Sequence, residues 1–136
     1  MKNILLLISF IFAQIIAIGQ IDNTLQLCDQ NITHPFVSDG QEYRALLNEG
    51  ELAEFNVIFY GGSTYRISAC SGDKEGNLMF SIYDRERNLL FSSAENEGSS
   101  FWDFKINNTV KLIIEAELKE NANNSGFAFI QIGFKQ

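Results

Sequence analysis

Asp73, Glu75 and Asn77 occupy alternate positions in the stretch GDKEGN, and oxygen donors at that spacing are what a hard cation such as calcium takes from a loop. A hand-type calcium loop also needs glycine at its sixth position, where this chain has Leu78 at the start of an apolar run. The trio is thus a candidate for weak calcium binding, set against a solvated turn. Glu115, Glu117 and Asp103 offer a second chemistry, since two carboxylates at a fixed separation suffice for glycoside cleavage. Acids at alternate positions of a strand, however, ordinarily form a solvated face. His34 is the only histidine, which excludes a Ser-His-Asp triad and any two-histidine metal site. The serine of GGST, residues 61–64, lacks the glycine flanks of a nucleophile elbow and sits at a hairpin. Neither a phosphate loop nor a dinucleotide fingerprint occurs in the sequence. Beyond the calcium candidate, the inventory predicts no catalytic residue, metal or cofactor. It describes a non-enzymatic module, with a small carboxylate-dependent hydrolase or a purely structural secreted subunit as alternatives.

The elements that would position these residues follow from hydropathy alternation. From Gln41 onward, short segments of period two are separated by turn residues, the signature of antiparallel β-structure. In residues 51–60, Ala53, Phe55, Val57 and Phe59 share a face, and Tyr65, Ile67 and Ala69 continue it after a Gly61-Gly62-Ser63 turn. NLMFSIYDRERNLLF, residues 77–91, reads as a strand with Leu78, Phe80 and Ile82 inward. A polar hairpin turn at residues 84–88 and a return strand with Leu89 and Phe91 inward follow. Trp102, Phe104 and Ile106, then Val110, Leu112, Ile114 and Ala116, then Ile130, Ile132 and Phe134 complete the expected core. The expected fold is all-β: a single jelly-roll-like antiparallel β-sandwich of about seven or eight strands over residues 41–136, with residues 41–47 as the eighth. Residues 20–40 are expected to be an irregular segment packing on the sandwich, with a short helix capped by Asn23 or Thr24 and running through Asn31.

The chain opens with Met1-Lys2-Asn3, an almost wholly apolar run from Ile4 to Ile18, and small residues at Ala17 and Gly19. These are the parts of a signal peptide, expected over residues 1–19 with cleavage before Gln20. The run falls short of the roughly 20 apolar residues a membrane span needs, and no membrane span is expected in the mature chain. The formal net charge is −7; removal of Lys2 leaves nine basic against seventeen acidic residues, or −8. That charge argues against nucleic acid and anionic membrane surfaces, both of which need a basic footprint. Cys28 and Cys70 remain after processing, and export would place them where thiols oxidise. A Cys28–Cys70 disulfide is the economical reading and two buried thiols the alternative. By the chain-entropy argument such a bridge is worth ~4 kcal/mol.

Opposite the expected core, Met79, Tyr83, Ile113, Phe127 and Phe129 all point away from the inner set. A solvent-facing sheet rarely carries that much apolar area uncovered. Two readings compete: residues 20–47, clamped by the disulfide, pack across these side chains, or the side chains form a platform for a glycan or partner protein. Cys70 has the parity opposite to Tyr65, Ile67 and Ala69, the side a covering segment would occupy.

The succession AEFNVIFYGGSTYRI, NLMFSIYDRERNLLF, FWDFKINNTVKLIIEA and SGFAFIQIGF resembles the bacterial pre-peptidase C-terminal domain, a sandwich of jelly-roll type. There an apolar strand leads through a glycine turn into a Tyr-x-Ile strand, then a Leu-apolar-Tyr-Asp hairpin and a final Gly-aromatic strand. The similarity spans residues 51–134. It implies the fold and an exported, periplasmic or extracellular setting; it brings no catalytic residues, and here no protease domain precedes it. The expected function is that of a secreted module binding or assembling with a protein or glycan at or outside the bacterial envelope.

Overall fold

Buried and exposed side chains alternate along β4 (Leu78–Tyr83) and β7 (Val110–Leu118), as the pleat of a half-buried strand requires. A computed structural model of the chain describes residues 23–122 and 124–136; the expected signal peptide and its cleavage before Gln20 lie outside the described residues. One short helix, α1 (residues 23–29), precedes β1 (Val37–Asn48), β2 (Leu52–Phe59) and β3 (Ser63–Cys70). After β4 come β5 (Leu89–Ser92), β6 (Phe101–Ile106), β7 and β8 (Ser125–Lys135). No helix among the described residues is long and apolar enough to cross a membrane.

The pairing follows one rule. β1 pairs with β8, β2 with β7, β3 with β6 and β4 with β5, all antiparallel. These are the pairs of one long hairpin folded at the β4–β5 turn. Rolling that hairpin up brings β8 against β3 and β7 against β4. The result is two four-stranded sheets, β1-β8-β3-β6 (sheet A) and β2-β7-β4-β5 (sheet B). The fold is therefore an eight-stranded all-β sandwich of jelly-roll order.

Between the sheets, Phe59, Ile67, Leu78, Phe80, Ile82, Ile114, Ile130 and Ile132 are almost wholly buried, and Phe59 stacks on Tyr65 at 4.2 Å. Leu89 and Trp102 depart from the expected core. The β4–β5 register shifts between Ile82 and Tyr83, which sets Leu89 opposite outward-facing Tyr83 and leaves it 47% exposed. Trp102 lies on an edge strand, against Phe91 at 5.0 Å. At the β2–β3 turn, Gly62 has φ 92°, and a Cβ on Gly61 would stand 2.7 Å from the Asn107 carbonyl oxygen, so both positions need glycine.

The alternation stops in β3 and β8, where residues 67–71 and 128–130 are buried on both sides. The cause is α1 and the loop after it, which lie on the outer face of sheet A. Cys28 is bonded to Cys70, with Cα atoms 5.6 Å apart, and the pair packs against fully buried Phe129. The Asn31 side-chain amide donates to Ser68 Oγ (3.1 Å), Ser68 Oγ donates to the Cys28 carbonyl (3.3 Å), and Thr24 Oγ1 donates to the Gly72 carbonyl (2.7 Å). Further along, Arg66 lies between the Phe36 and Phe101 rings, 4.2 and 4.7 Å from their centroids, and donates to the Asn31 carbonyl. Gly133 makes room for this segment, since a Cβ there would sit 2.7 Å from Ile32 Cγ2.

Because the bridge fastens the cover and not the sandwich core, Cys28→Ser/Cys70→Ser is expected to lower the unfolding free energy by about 2–4 kcal/mol while the strand signature in far-UV circular dichroism persists. Equilibrium denaturation in guanidinium checks this; an unchanged midpoint would show the cover to be held without the bridge.

Candidate functional site

Among the described residues, nothing covers the outer face of sheet B in this way. Its rows follow from the register: Leu52, Glu117 and Met79; Glu54, Glu115 and Ser81; Asn56, Ile113 and Tyr83; Ile58 and Lys111. Leu52 and Ile58 are 54% and 47% exposed on edge strand β2, while Met79, Tyr83 and Ile113 are half-buried by their neighbours. Glu54 and Glu115 stand directly opposite one another, an arrangement that destabilises a sheet unless a cation separates the charges. Arg87, which adopts φ 66° in the β4–β5 hairpin, supplies it. Its guanidinium reaches back over the Tyr83 ring, donates through Nη1 to Glu115 Oε2 (3.2 Å) and pairs through Nη2 with Glu54 Oε1. The hairpin is locked by Asp84, whose carboxylate accepts from both the backbone and the side-chain amide of Asn88 at 2.8 Å. Those two bonds, the side-chain one foremost, hold the Asp84 carboxyl below its ordinary range.

A cleft of about 570 Å³ opens at the edge of the sandwich where β1 faces β2. Three residues of β1, Asp39 to Gln41, stand opposite the single residue Ile132 of β8, and this bulge, with Gly40 at φ 78°, turns the start of β1 aside. The cleft is lined by Asp39, Tyr43, Asn56, Tyr60, Tyr65 and Phe134 among others. Tyr43 Oη donates to Gln41 Oε1 (2.6 Å), and Tyr65 Oη accepts the Tyr60 N–H (3.0 Å). Asp39 Oδ1 accepts the Gln41 N–H at 2.9 Å. Burial raises the Asp39 carboxyl, against the lowering effect of that bond. Burial, then the Asp39 charge, raises the Tyr43 hydroxyl.

The residues singled out in the sequence distribute as follows. Met79, Tyr83 and Ile113 share the open face of sheet B, whereas Phe127 and Phe129 belong to the outer face of sheet A. The five therefore do not form one platform: a two-sheet sandwich has two outer faces, and strand parity does not say which one a residue joins. The N-terminal segment covers Phe129 and leaves Phe127 38% exposed. Asp73 and Glu75 are exposed in the β3–β4 loop, and the Asn77 carbonyl accepts the Lys119 N–H. Among the described residues, no three His, Cys, Asp or Glu side chains group as they would around a metal ion. Asp103 lies on sheet A in a bidentate bond from Arg66, at 2.7 and 2.9 Å, and is separated from Glu115 and Glu117 on sheet B. His34 is exposed between α1 and β1. Sequence reasoning missed Asp39, Tyr43, Tyr60 and Arg87; the Asp39-Gly40 pair just before an alternating run was the one available sign of the bulge.

This arrangement defines a jelly-roll sandwich with one outer face partly covered by its own chain and the other open among the described residues. No family model matches the sequence, and no curated protein matches it. Among solved structures the chain is similar to PliG of Aeromonas hydrophila, a periplasmic lysozyme inhibitor of g-type lysozyme, with a TM-score of 0.53 and 9% identity over 76% of this chain and 90% of that one. The likeness is one of fold.

If Arg87 relieves the Glu54–Glu115 repulsion, Arg87→Ala lowers the thermal unfolding midpoint, and adding Glu54→Gln restores part of the loss. Thermal scans of both variants check this, and the Arg87→Ala deficit should shrink at high salt, where exposed charges are screened.

Proposed function

We propose that the protein is exported and acts by non-catalytic binding of a protein partner, with the open face of sheet B as its docking surface. One observation carries this reading. The outer face of sheet A is covered by the chain itself around Cys70 and Phe129, leaving Leu46 and Phe127 exposed at one end, while sheet B, with no cover among the described residues, leaves Leu52, Ile58, Ile113, Met79 and Tyr83 together beside charged residues. An apolar centre with a charged rim is the usual make-up of a protein interface. Export is supported by the intramolecular disulfide, a bond that persists in oxidising compartments. The leader-like first nineteen residues point the same way. A non-catalytic role is supported by the state of the carboxylates: Asp103 is held by Arg66, and Glu115 by Arg87 and Tyr83. Of the three candidate carboxylates only Glu117 is then left without an ion pair, so the trio supplies no free pair for acid–base work. The fold neighbour is itself an inhibitor that acts on another protein, a g-type lysozyme, which makes that enzyme class the first probe.

In isothermal titration with a g-type lysozyme, wild-type protein is expected to bind, and Tyr83→Ala/Ile113→Ser to weaken binding at least tenfold, about 1.4 kcal/mol. Binding unaffected by the double substitution in a folded protein would remove sheet B from the reading. Absence of any complex with the wild type would exclude the neighbour's partner class for this chain.

A further inference from the structure

We propose that the cleft between β1 and β2 receives a cationic side chain, Arg or Lys, projecting from the protein partner; the identity of that guest rests on the protein-binding reading above. The walls are aromatic and polar, formed by Tyr43, Tyr60, Tyr65 and Phe134 with Gln41 and Asn56. Among the described lining residues there is no Lys, Arg or His. The charge inside is the Asp39 carboxylate, partly withdrawn from water, with Oδ1 taken by the Gln41 N–H and no salt bridge to any described cation. Elsewhere most strand acids are matched with arginine, Glu42 with Arg44, Asp103 with Arg66, and Glu54 and Glu115 with Arg87, while exposed Glu117 on sheet B, like Asp39, has no salt bridge among the described residues. At Asp39 the match is left open.

A partly desolvated carboxylate among ring faces is complementary to a guanidinium or ammonium, which gains a charge-assisted hydrogen bond and contact with the rings. The same carboxylate disfavours anions, and the net charge of −7 favours approach of a basic surface. The cleft is continuous with the proposed docking face. Asn56, Val57 and Ile58 line both it and a shallower depression on sheet B that reaches Arg85, Lys111 and Ile113. A partner seated on sheet B can therefore pass one side chain over β2 and into the cleft.

The test uses a small probe, so that it does not depend on finding the partner. ¹⁵N-labelled protein is titrated with Nα-acetyl-arginine amide and, separately, with its uncharged isostere Nα-acetyl-citrulline amide. The arginine probe is expected to shift amides of residues 39–43 and 58–65 and the citrulline probe to leave them unmoved. Asp39→Asn, which keeps the oxygen that accepts the Gln41 N–H, should weaken the arginine probe at least fivefold; Tyr60→Ser provides a second variant with a different folding risk. Tyr83→Ala/Ile113→Ser leaves the cleft lining unchanged and should retain the probe, which separates failure of the cleft from failure of the docking face. Equal response to both probes, or an unchanged response in Asp39→Asn, overturns the proposal. Binding of a chitooligosaccharide at these amides without the arginine probe would assign the cleft to a sugar and overturn it as well.

Discussion

Two sheets have four faces, and packing one sheet on the other buries two of them. What becomes of the remaining two governs the rest of this molecule. On sheet A the solution is apolar and covalent. Phe129 and Cys70 are buried because α1 lies over them and Cys28 ties it down, and full burial of a phenylalanine side chain is worth roughly 1.5–3 kcal/mol. A seven-residue helix is too short to be stable by itself, so its position is owed to the sheet beneath and to the disulfide. On sheet B the solution is ionic: glutamates 54, 115 and 117, with Lys111 and Arg87, keep a face with exposed aliphatic groups compatible with water. The two solutions leave different surfaces to the world, one covered around Phe129 with Leu46 and Phe127 exposed at its end, the other open among the described residues.

Within single strands the sequence was a good guide. Period two located β2, β4 and β7 and their inward residues, and the polar run at residues 84–88 is the hairpin on which the long pairing folds. The parity of Cys70 against Tyr65, Ile67 and Ala69 was legible because it is a property of one strand, and Cys28 is indeed bonded to it on the covered face. What could not be read is anything that needs two strands placed relative to one another. Met79 and Phe129 have the same relation to the core but lie on opposite sides of the molecule, because β4 and β8 belong to different sheets. Arg87 reads as a solvated turn residue, since its partners Glu54 and Glu115 are close only after β2, β7 and β4 have aligned. The start of β1 reads as irregular because the bulge at residues 39–41 breaks the alternation that would have marked Val37 and Ser38 as strand.

The open edges of the sandwich are finished as differently as its faces. Where β5 and β6 run side by side, Phe91 contacts Trp102 at 5.0 Å and meets Phe104 edge-on at 5.3 Å, so rings close that side. Where β1 and β2 run side by side, the bulge carries β1 away and a cleft remains. Edge strands invite pairing with other chains unless they are short, bulged or charged. β5 has only four residues and β1 is bulged. β2 has neither protection: eight residues in unbroken register with β7 along one side, and no strand paired along the other among the described residues.

β2 thus borders both the outer face of sheet B and the cleft. Its outward side chains Leu52, Glu54, Asn56 and Ile58 form the margin of sheet B, its Phe59 continues into the core, and the turn after it supplies Tyr60 to the cleft. The charge on this margin is not free to vary: Glu54 must be held by Arg87, which in turn requires the hairpin that Asp84 and Asn88 lock. A substitution in that hairpin therefore acts at a distance on the edge where a partner would dock. The same rolled hairpin that makes the fold, turning at β4–β5 and bringing β7 beside β2, also sets the electrostatics of its most exposed strand. Architecture and recognition are coupled here through one arginine, at the single place where the pairing scheme puts two carboxylates face to face.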